Sequence, residues 1–222
     1  MEIFTIGHSN NSIETFIILL QEHKVTALED VRSHPYSRYL PHFNQAEIKS
    51  VLLKTGIRYV FLGRELGARP NDSNCYIDGK AIYENIAATQ KFAEGIQRIK
   101  KGAENYRLAL LCAEKDPITC HRAILVCQHL RSSNLDIKHI LSNGDLKNHY
   151  MLEERLLDLH NLKLPEIPRQ VQLSLFRDMQ PKEDLTTSKS SREELLKKAY
   201  KLQGFQITYV EKNGKQHELK MD

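Results

Sequence analysis

No apolar run in the 222-residue chain approaches the ~18 residues that cross a bilayer, which excludes a transmembrane helix. Cysteine is scarce. The four present form no CxxC pair, which excludes a disulfide framework and fits a reducing cytosol. The start, MEIFTIGHSNN, lacks a basic segment followed by a long apolar one, so no secretory leader is expected. Charge of one sign is also missing. With 32 Lys and Arg against 28 Asp and Glu, the net charge of +4 falls short of the bias of a dedicated DNA-binding domain. No internal repeat and no long low-complexity run are present. A cytoplasmic globular protein without membrane contact is expected, and 41% hydrophobic and 27% charged residues agree with it. A pocket for an anionic group stays open, because it needs only a few convergent cations.

The first 145 residues alternate strand-like and helix-like segments. Strands are expected at Ile3–His8, Val25–Val31, Arg58–Leu62, Leu108–Cys112 and Asp136–Leu141. Helices are expected at Ile13–His23 behind the N-cap Ser12, at Gln45–Thr55, Lys80–Lys101 and Cys120–Arg131, and at Lys147–His160. Leu108–Cys112 reads LALLC, apolar on both faces, as a strand covered on both sides must be. The pattern predicts an α/β fold with a mostly parallel sheet of about five strands flanked by helices. Residues 1–162 form the expected core and 163–190 a linker. Residues 191–222 form an appendage of one helix, Glu193–Leu202 ended by Gly204, and a β-hairpin turning at Asn213-Gly214. A lone hairpin is marginal, so it is expected to pack on the core or to join two copies of the chain.

Ligands of parallel sheets bind beyond the carboxyl ends of the strands, and here those ends are polar. They carry His8 and Ser9, Asp30 and Arg32, Arg64, and Cys112 with Glu114. Residues i and i+2 share a strand face, so Asp30 stands beside Arg32. That pair reads either as a closed ion pair or as an Arg oriented for a phosphate or carboxylate. The sharpest feature is Cys112-x-Glu114-(x5)-Cys120-His121-Arg122. With Thr119 as N-cap, Cys120, His121 and Arg122 fall in a first helical turn, where free N–H groups favour an anion and a thiolate. Cys120 reads either as a nucleophile or as a small buried residue. No Arg lies six positions after Cys112 or Cys120, so a tyrosine-phosphatase loop is disfavoured. Zinc could use Cys112, Cys120 and His121 with Glu114 as acid/base. The deaminase pattern would need a further Cys at position 123, where Ala stands, so no metal is expected unless His8 or His34 supplies the missing ligand from a neighbouring strand. The loop Ser33–Asn44 interleaves Tyr36 and Tyr39 with cations, as base stacking and phosphate binding require. A lid folded over the core explains it equally.

Thr5-Ile6-Gly7-His8-Ser9, Asp30-Val31-Arg32, Arg64-Glu65-Leu66-Gly67 and Cys112-Ala113-Glu114 with Cys120-His121-Arg122 resemble the bacterial and archaeal family catalogued as domain of unknown function 488. The resemblance covers residues 1–145, and Gln172–Phe176 looks like a segment of longer members. It implies a cytosolic α/β domain with a shared site built from these motifs, and names no reaction. The residues themselves favour an enzyme acting on a phosphate-bearing substrate, a nucleotide or a nucleic-acid end. Arg32 and Arg122 would hold the anion, with His121, Ser9, Arg64, Tyr36 and Tyr39 around it. His8 or Glu114 would be the acid/base, and Cys120 or Cys112 any nucleophile. No cofactor is expected. The alternative is a non-catalytic nucleic-acid-binding module.

Overall fold

The computed structural model describes residues 1–131, 135–162 and 185–211. In chain order these form β1 (Glu2–Gly7), α1 (Ile13–Glu22), β2 (Ala27–Asp30), α2 (Gln45–Lys54), β3 (Arg58–Phe61), α3 (Gly63–Leu66), β4 (Tyr76–Ile77), β5 (Lys80–Ala81), α4 (Tyr83–Ala87), α5 (Gln90–Ala103) and β6 (Leu108–Cys112). A π-helical segment, Arg122–Cys127, runs on into α6 (Gln128–Leu130). Then come β7 (Asp136–Ile140), β8 (Leu146–Asn148), α7 (His149–Leu159) and α8 (Leu185–Ile207).

The main sheet has the order β3-β2-β6-β1-β7-β8. Its first five strands are parallel, and β8 returns antiparallel on β7. The fold is α/β with a mostly parallel sheet. The helix expected from Lys147 begins later, because Leu146–Asn148 pairs with β7 as β8, a strand too short to show alternation. Asn148 caps α7 instead, accepting from the Tyr150 N–H.

Alternation on the strands divides the core. Phe4, Ile6, Ala109 and Leu111 join Phe16 and Leu20 of α1 and Ile48 and Leu52 of α2. Ile3, Leu108, Leu110 and Cys112 join Phe92 of α5, Leu125 of the π-helical segment, Leu156 of α7 and Tyr200 of α8. Every residue of β6 is buried. Each such Leu contributes about 1.5–3 kcal/mol of hydrophobic stabilisation.

Three local expectations fail for local reasons. Lys80–Lys101 is not one helix: Lys80–Ala81 pairs with Tyr76–Ile77, and Thr89 caps α5 by accepting from the Phe92 N–H. Thr119 is not an N-cap: Asp116 caps a 3-10 turn at Pro117–Thr119, Cys120 is extended, and the helix starts later. Gly204 does not end α8, which continues to Ile207. A Cβ at Gly204 would stand 3.0 Å from the Tyr83 ring, so this glycine serves close packing. Ahead of the expected hairpin turn, Val210 makes a single antiparallel bridge, to Lys80. The Asn213-Gly214 hairpin, most of the expected linker and the Gln172–Phe176 segment lie outside the described residues. No helix among the described residues is long and apolar enough to cross a membrane.

Candidate functional site

At the carboxyl end of the sheet the ladder continues past the strands. The N–H of His8 donates to Cys112 O (2.9 Å), that of Ser9 to Ala113 O (2.9 Å), and that of Val31 to Leu111 O (3.1 Å). The polar ends of β1, β2 and β6 therefore lie side by side. A cavity of about 500 Å³ opens there, with Arg32, His34, Arg69, Cys112, Glu114 and His121 on its wall. Residues Ile207, Thr208, Tyr209 and Val210 close one side. Ala81 N–H donates to Tyr209 O (2.9 Å), and the Thr208 hydroxyl donates to Ala81 O (2.7 Å). Arg69 stacks on the Tyr209 ring at 4.3 Å.

The floor is a cluster of four donors. Both thiols donate to one carboxylate oxygen, Glu114 Oε2: Cys112 over 3.0 Å and Cys120 over 2.9 Å. Cys112 Sγ lies 3.5 Å from His121 Nδ1, and His121 Nε2 meets Val31 O at 2.9 Å. Nε2 therefore carries a proton, and Nδ1 faces the Cys112 sulfur. The sulfur, carboxylate and imidazole atoms of Cys112, Glu114, Cys120 and His121 all lie within 4.8 Å of one another. Two thiols, an imidazole and a carboxylate are the donor types that a zinc-class ion takes. These are the four residues that the sequence offers as zinc candidates, and the fold brings them together.

Electrostatics separate the two thiols. Burial pushes Cys120 up, but the Cys112 hydrogen bond and the Arg122 and His121 charges outweigh it and hold Cys120 well below the usual thiol range. Burial pushes Cys112 well above that range, and the Cys120 and Glu114 charges add to the rise.

Arg122 sits beneath the cluster and is fully buried. It donates from Nη1 to Glu114 O (2.7 Å), from Nη2 to Lys115 O (3.3 Å) and from Nε to Thr5 Oγ1 (3.4 Å). The guanidinium expected to face an anion instead braces the loop that carries Glu114. Gly7 permits this packing, since a Cβ there would fall 1.9 Å from Glu114 O. From Thr5 a polar chain runs inward: Thr5 Oγ1 to His139 Nδ1 (2.7 Å), His139 Nε2 to His149 Nδ1 (3.0 Å), and His149 Nε2 to Tyr200 OH (2.9 Å).

Asp30 and Arg32 form the pair that their spacing predicts. Arg32 Nε and Nη2 donate to Asp30 Oδ1 and Oδ2 at 2.9 and 2.6 Å, and Nη2 also reaches Phe43 O at 2.9 Å. Tyr59 OH donates to Asp30 Oδ2 (2.8 Å). Arg32 lies on the cavity wall, and its bonds to Asp30 and Phe43 use Nε and Nη2. Asp30 is wholly buried behind it.

The remaining candidates divide. Tyr36 is on the cavity wall, 73% exposed. Tyr39, Arg64, His8, Ser9 and Cys120 are not on that wall. His8 stacks on Phe43 at 4.4 Å, and burial lowers its pKa to about 4, which leaves it neutral near pH 7. Cys120 lies under Glu114, 1% exposed. Sequence reasoning missed Arg69, Tyr83 and Tyr209, all on the wall, and the His139–His149–Tyr200 chain. Arg69 follows the Arg64-Glu65-Leu66-Gly67 motif by two residues, which was its only local signal.

No curated protein and no solved structure matches the chain. The family described as domain of unknown function DUF488 matches residues 12–128, just over half of the sequence, and the chain belongs to that family.

Proposed function

We propose that the cavity at the sheet edge is the active site of an enzyme acting on a phosphate-bearing substrate, a nucleotide or a nucleic-acid end. One observation carries the reading. A single cavity joins acid/base groups, Glu114 and His121, to cationic groups, Arg32 and Arg69. In this reading the substrate phosphate lies against Nη1 of Arg32 and the guanidinium of Arg69, whose planar forks suit it. Arg32 is held in place by Asp30, so little side-chain entropy is lost on binding. A base or sugar would rest against Tyr36 and Tyr83. Glu114 is the exposed member of the donor cluster and moves the proton. The volume suits a mononucleotide-sized ligand, since small-molecule sites occupy about 300–1,000 Å³.

A screen of nucleotides and inorganic phosphate for thermal stabilisation tests this. A ligand at about 100 times its dissociation constant adds roughly 2.7 kcal/mol. Arg69→Ala should weaken binding, while Glu114→Gln should leave binding and remove turnover. The second reading, a nucleic-acid-binding module, draws on the exposure of Tyr36 and Tyr39 (73% and 91%). It requires that Tyr36→Ala and Tyr39→Ala abolish binding to single strands and that no substrate turns over.

A further inference from the structure

We infer that Cys112, Cys120 and His121 are ligands of a zinc-class divalent metal ion, with Glu114 as the fourth, cavity-facing ligand. This rests on the cavity being the active site, and it assigns the two thiols to metal binding rather than to attack on substrate.

The first support is geometry. Tetrahedral zinc takes sulfur at about 2.3 Å and nitrogen or oxygen at about 2.0–2.2 Å, which sets donor-to-donor edges of about 3.3–3.8 Å. Three of the six edges here are 3.5 Å for Cys112 to His121, 3.0 Å for Cys112 to Glu114 and 2.9 Å for Cys120 to Glu114, and the other three lie within 4.8 Å. The two shorter edges are thiol-to-carboxylate hydrogen bonds. Loss of those protons to solvent on metal binding, and an opening of about half an ångström, complete the tetrahedron.

The second support is the surrounding shell. A metal-bound histidine typically donates its other N–H to a carbonyl or carboxylate, which fixes the tautomer. His121 Nε2 does so to Val31 O at 2.9 Å. A thiolate ligand also needs donors, and the Arg122 N–H lies 3.4 Å from Cys120 Sγ. Two thiolates and a carboxylate around a divalent ion leave one net negative charge. The buried Arg122 guanidinium, bonded to the Glu114 carbonyl, balances it.

The third support is the way the set opens. Cys112, Cys120 and His121 are buried, and Glu114 alone is exposed. Four protein donors fill the tetrahedron as in structural sites, and release of the exposed Glu114 opens the position that catalytic sites keep for water or substrate and frees its carboxylate to move the proton. The donor types argue against magnesium and calcium, which take oxygen ligands.

The test uses the full chain, purified under reducing conditions without chelator. Metal analysis should find about one zinc per chain. Chelated and reduced protein, given zinc alone, should take the equivalent back. Given cobalt alone, it should develop the near-ultraviolet band of thiolate-to-cobalt charge transfer. Cys112→Ser and Cys120→Ser should hold less than about a tenth of an equivalent, while Cys75→Ser and Cys127→Ser keep the metal. If Cys120→Ser does not fold, the cobalt spectrum of the wild-type chain decides. Uptake below about a tenth of an equivalent by the reduced chain, or bound cobalt without a thiolate band, overturns the inference. A Cys112–Cys120 disulfide in fresh protein that binds no zinc after reduction overturns it too. Stabilisation by a nucleotide without metal uptake sinks the metal centre and spares the substrate reading. Stoichiometric zinc with no stabilisation by any nucleotide or phosphate does the reverse.

Discussion

The Arg122 guanidinium and the Glu114 backbone are joined by a 2.7 Å hydrogen bond under the floor of the cavity, and this bond aims the Glu114 carboxylate at two thiols. A residue without solvent exposure thus places one that faces the cavity. An unpaired buried carbonyl costs about 1–3 kcal/mol, and breaking a buried charged network about 3–5 kcal/mol. Arg122→Gln should therefore lower stability by about 3 kcal/mol or more. Arg122→Lys should restore little of it, because an ammonium cannot span the Glu114 and Lys115 carbonyls and Thr5 as the fork does. Urea midpoints of the three proteins check this, and a Lys variant as stable as wild type would refute the bracing role.

Gly7 offers a paired comparison. A Cβ at Gly7 would meet Glu114 O at 1.9 Å, whereas at Gly56 nothing lies within 4 Å and only the positive φ of 74° opposes a side chain. Gly56→Ala should cost about 1–2 kcal/mol of stability alone. Gly7→Ala should cost more and also reduce ligand binding, since the Glu114 loop must move. Equal effects of the two substitutions on stability and on binding would contradict the close approach.

Glu29 is buried on β2, and its Oε2 has no partner. Burial raises its carboxyl to about 7, opposed by Arg98. The folded state holds a proton that the unfolded chain releases near pH 4.5, so stability falls as pH rises from about 4.5 to 7 and then levels off. Glu29→Gln should remove that slope and stabilise the protein at pH 8 by up to about 3 kcal/mol. Denaturant titrations at pH 5 and pH 8 measure it. An equal effect at both pH values would exclude this carboxyl as the source.

The His139–His149–Tyr200 chain sets the acid limb. Burial lowers His149 to about 4 and, with the His149 and Arg122 charges, holds His139 well below its usual range. Both are neutral in the fold near pH 7. The unfolded chain takes up protons below about 6.5, so stability declines from about pH 6.5 toward 4, with His149 contributing up to about 3 kcal/mol. His149→Gln should flatten that decline. Tyr200→Phe, which removes only the hydroxyl bonded to His149 Nε2 and Glu153, should cost about 1 kcal/mol and leave the decline in place. A decline unchanged in His149→Gln would rule this histidine out.

What was legible in the sequence was what short range decides. Leu108–Cys112 announced a doubly covered strand by its own composition. Two-residue spacing paired Asp30 with Arg32, and Cys112 with Glu114 stood out at a strand end. What was hidden depends on chain segments far apart. Arg69 and Tyr209 meet only after α8 has packed across the cavity, 140 positions later in the chain. His139 and His149 are 10 residues apart on different elements, and no periodicity joins them. Arg122 points inward, against the expected helical start, where a 3-10 turn and an extended Cys120 stand instead.

The most direct measurement is a crystal structure of the reduced full chain grown with a nucleoside monophosphate. The account requires the phosphate between Arg32 and Arg69, on the same cavity wall as Cys112, Glu114 and His121. A nucleotide bound in solution but seated elsewhere on the protein, with that cavity empty, would contradict it.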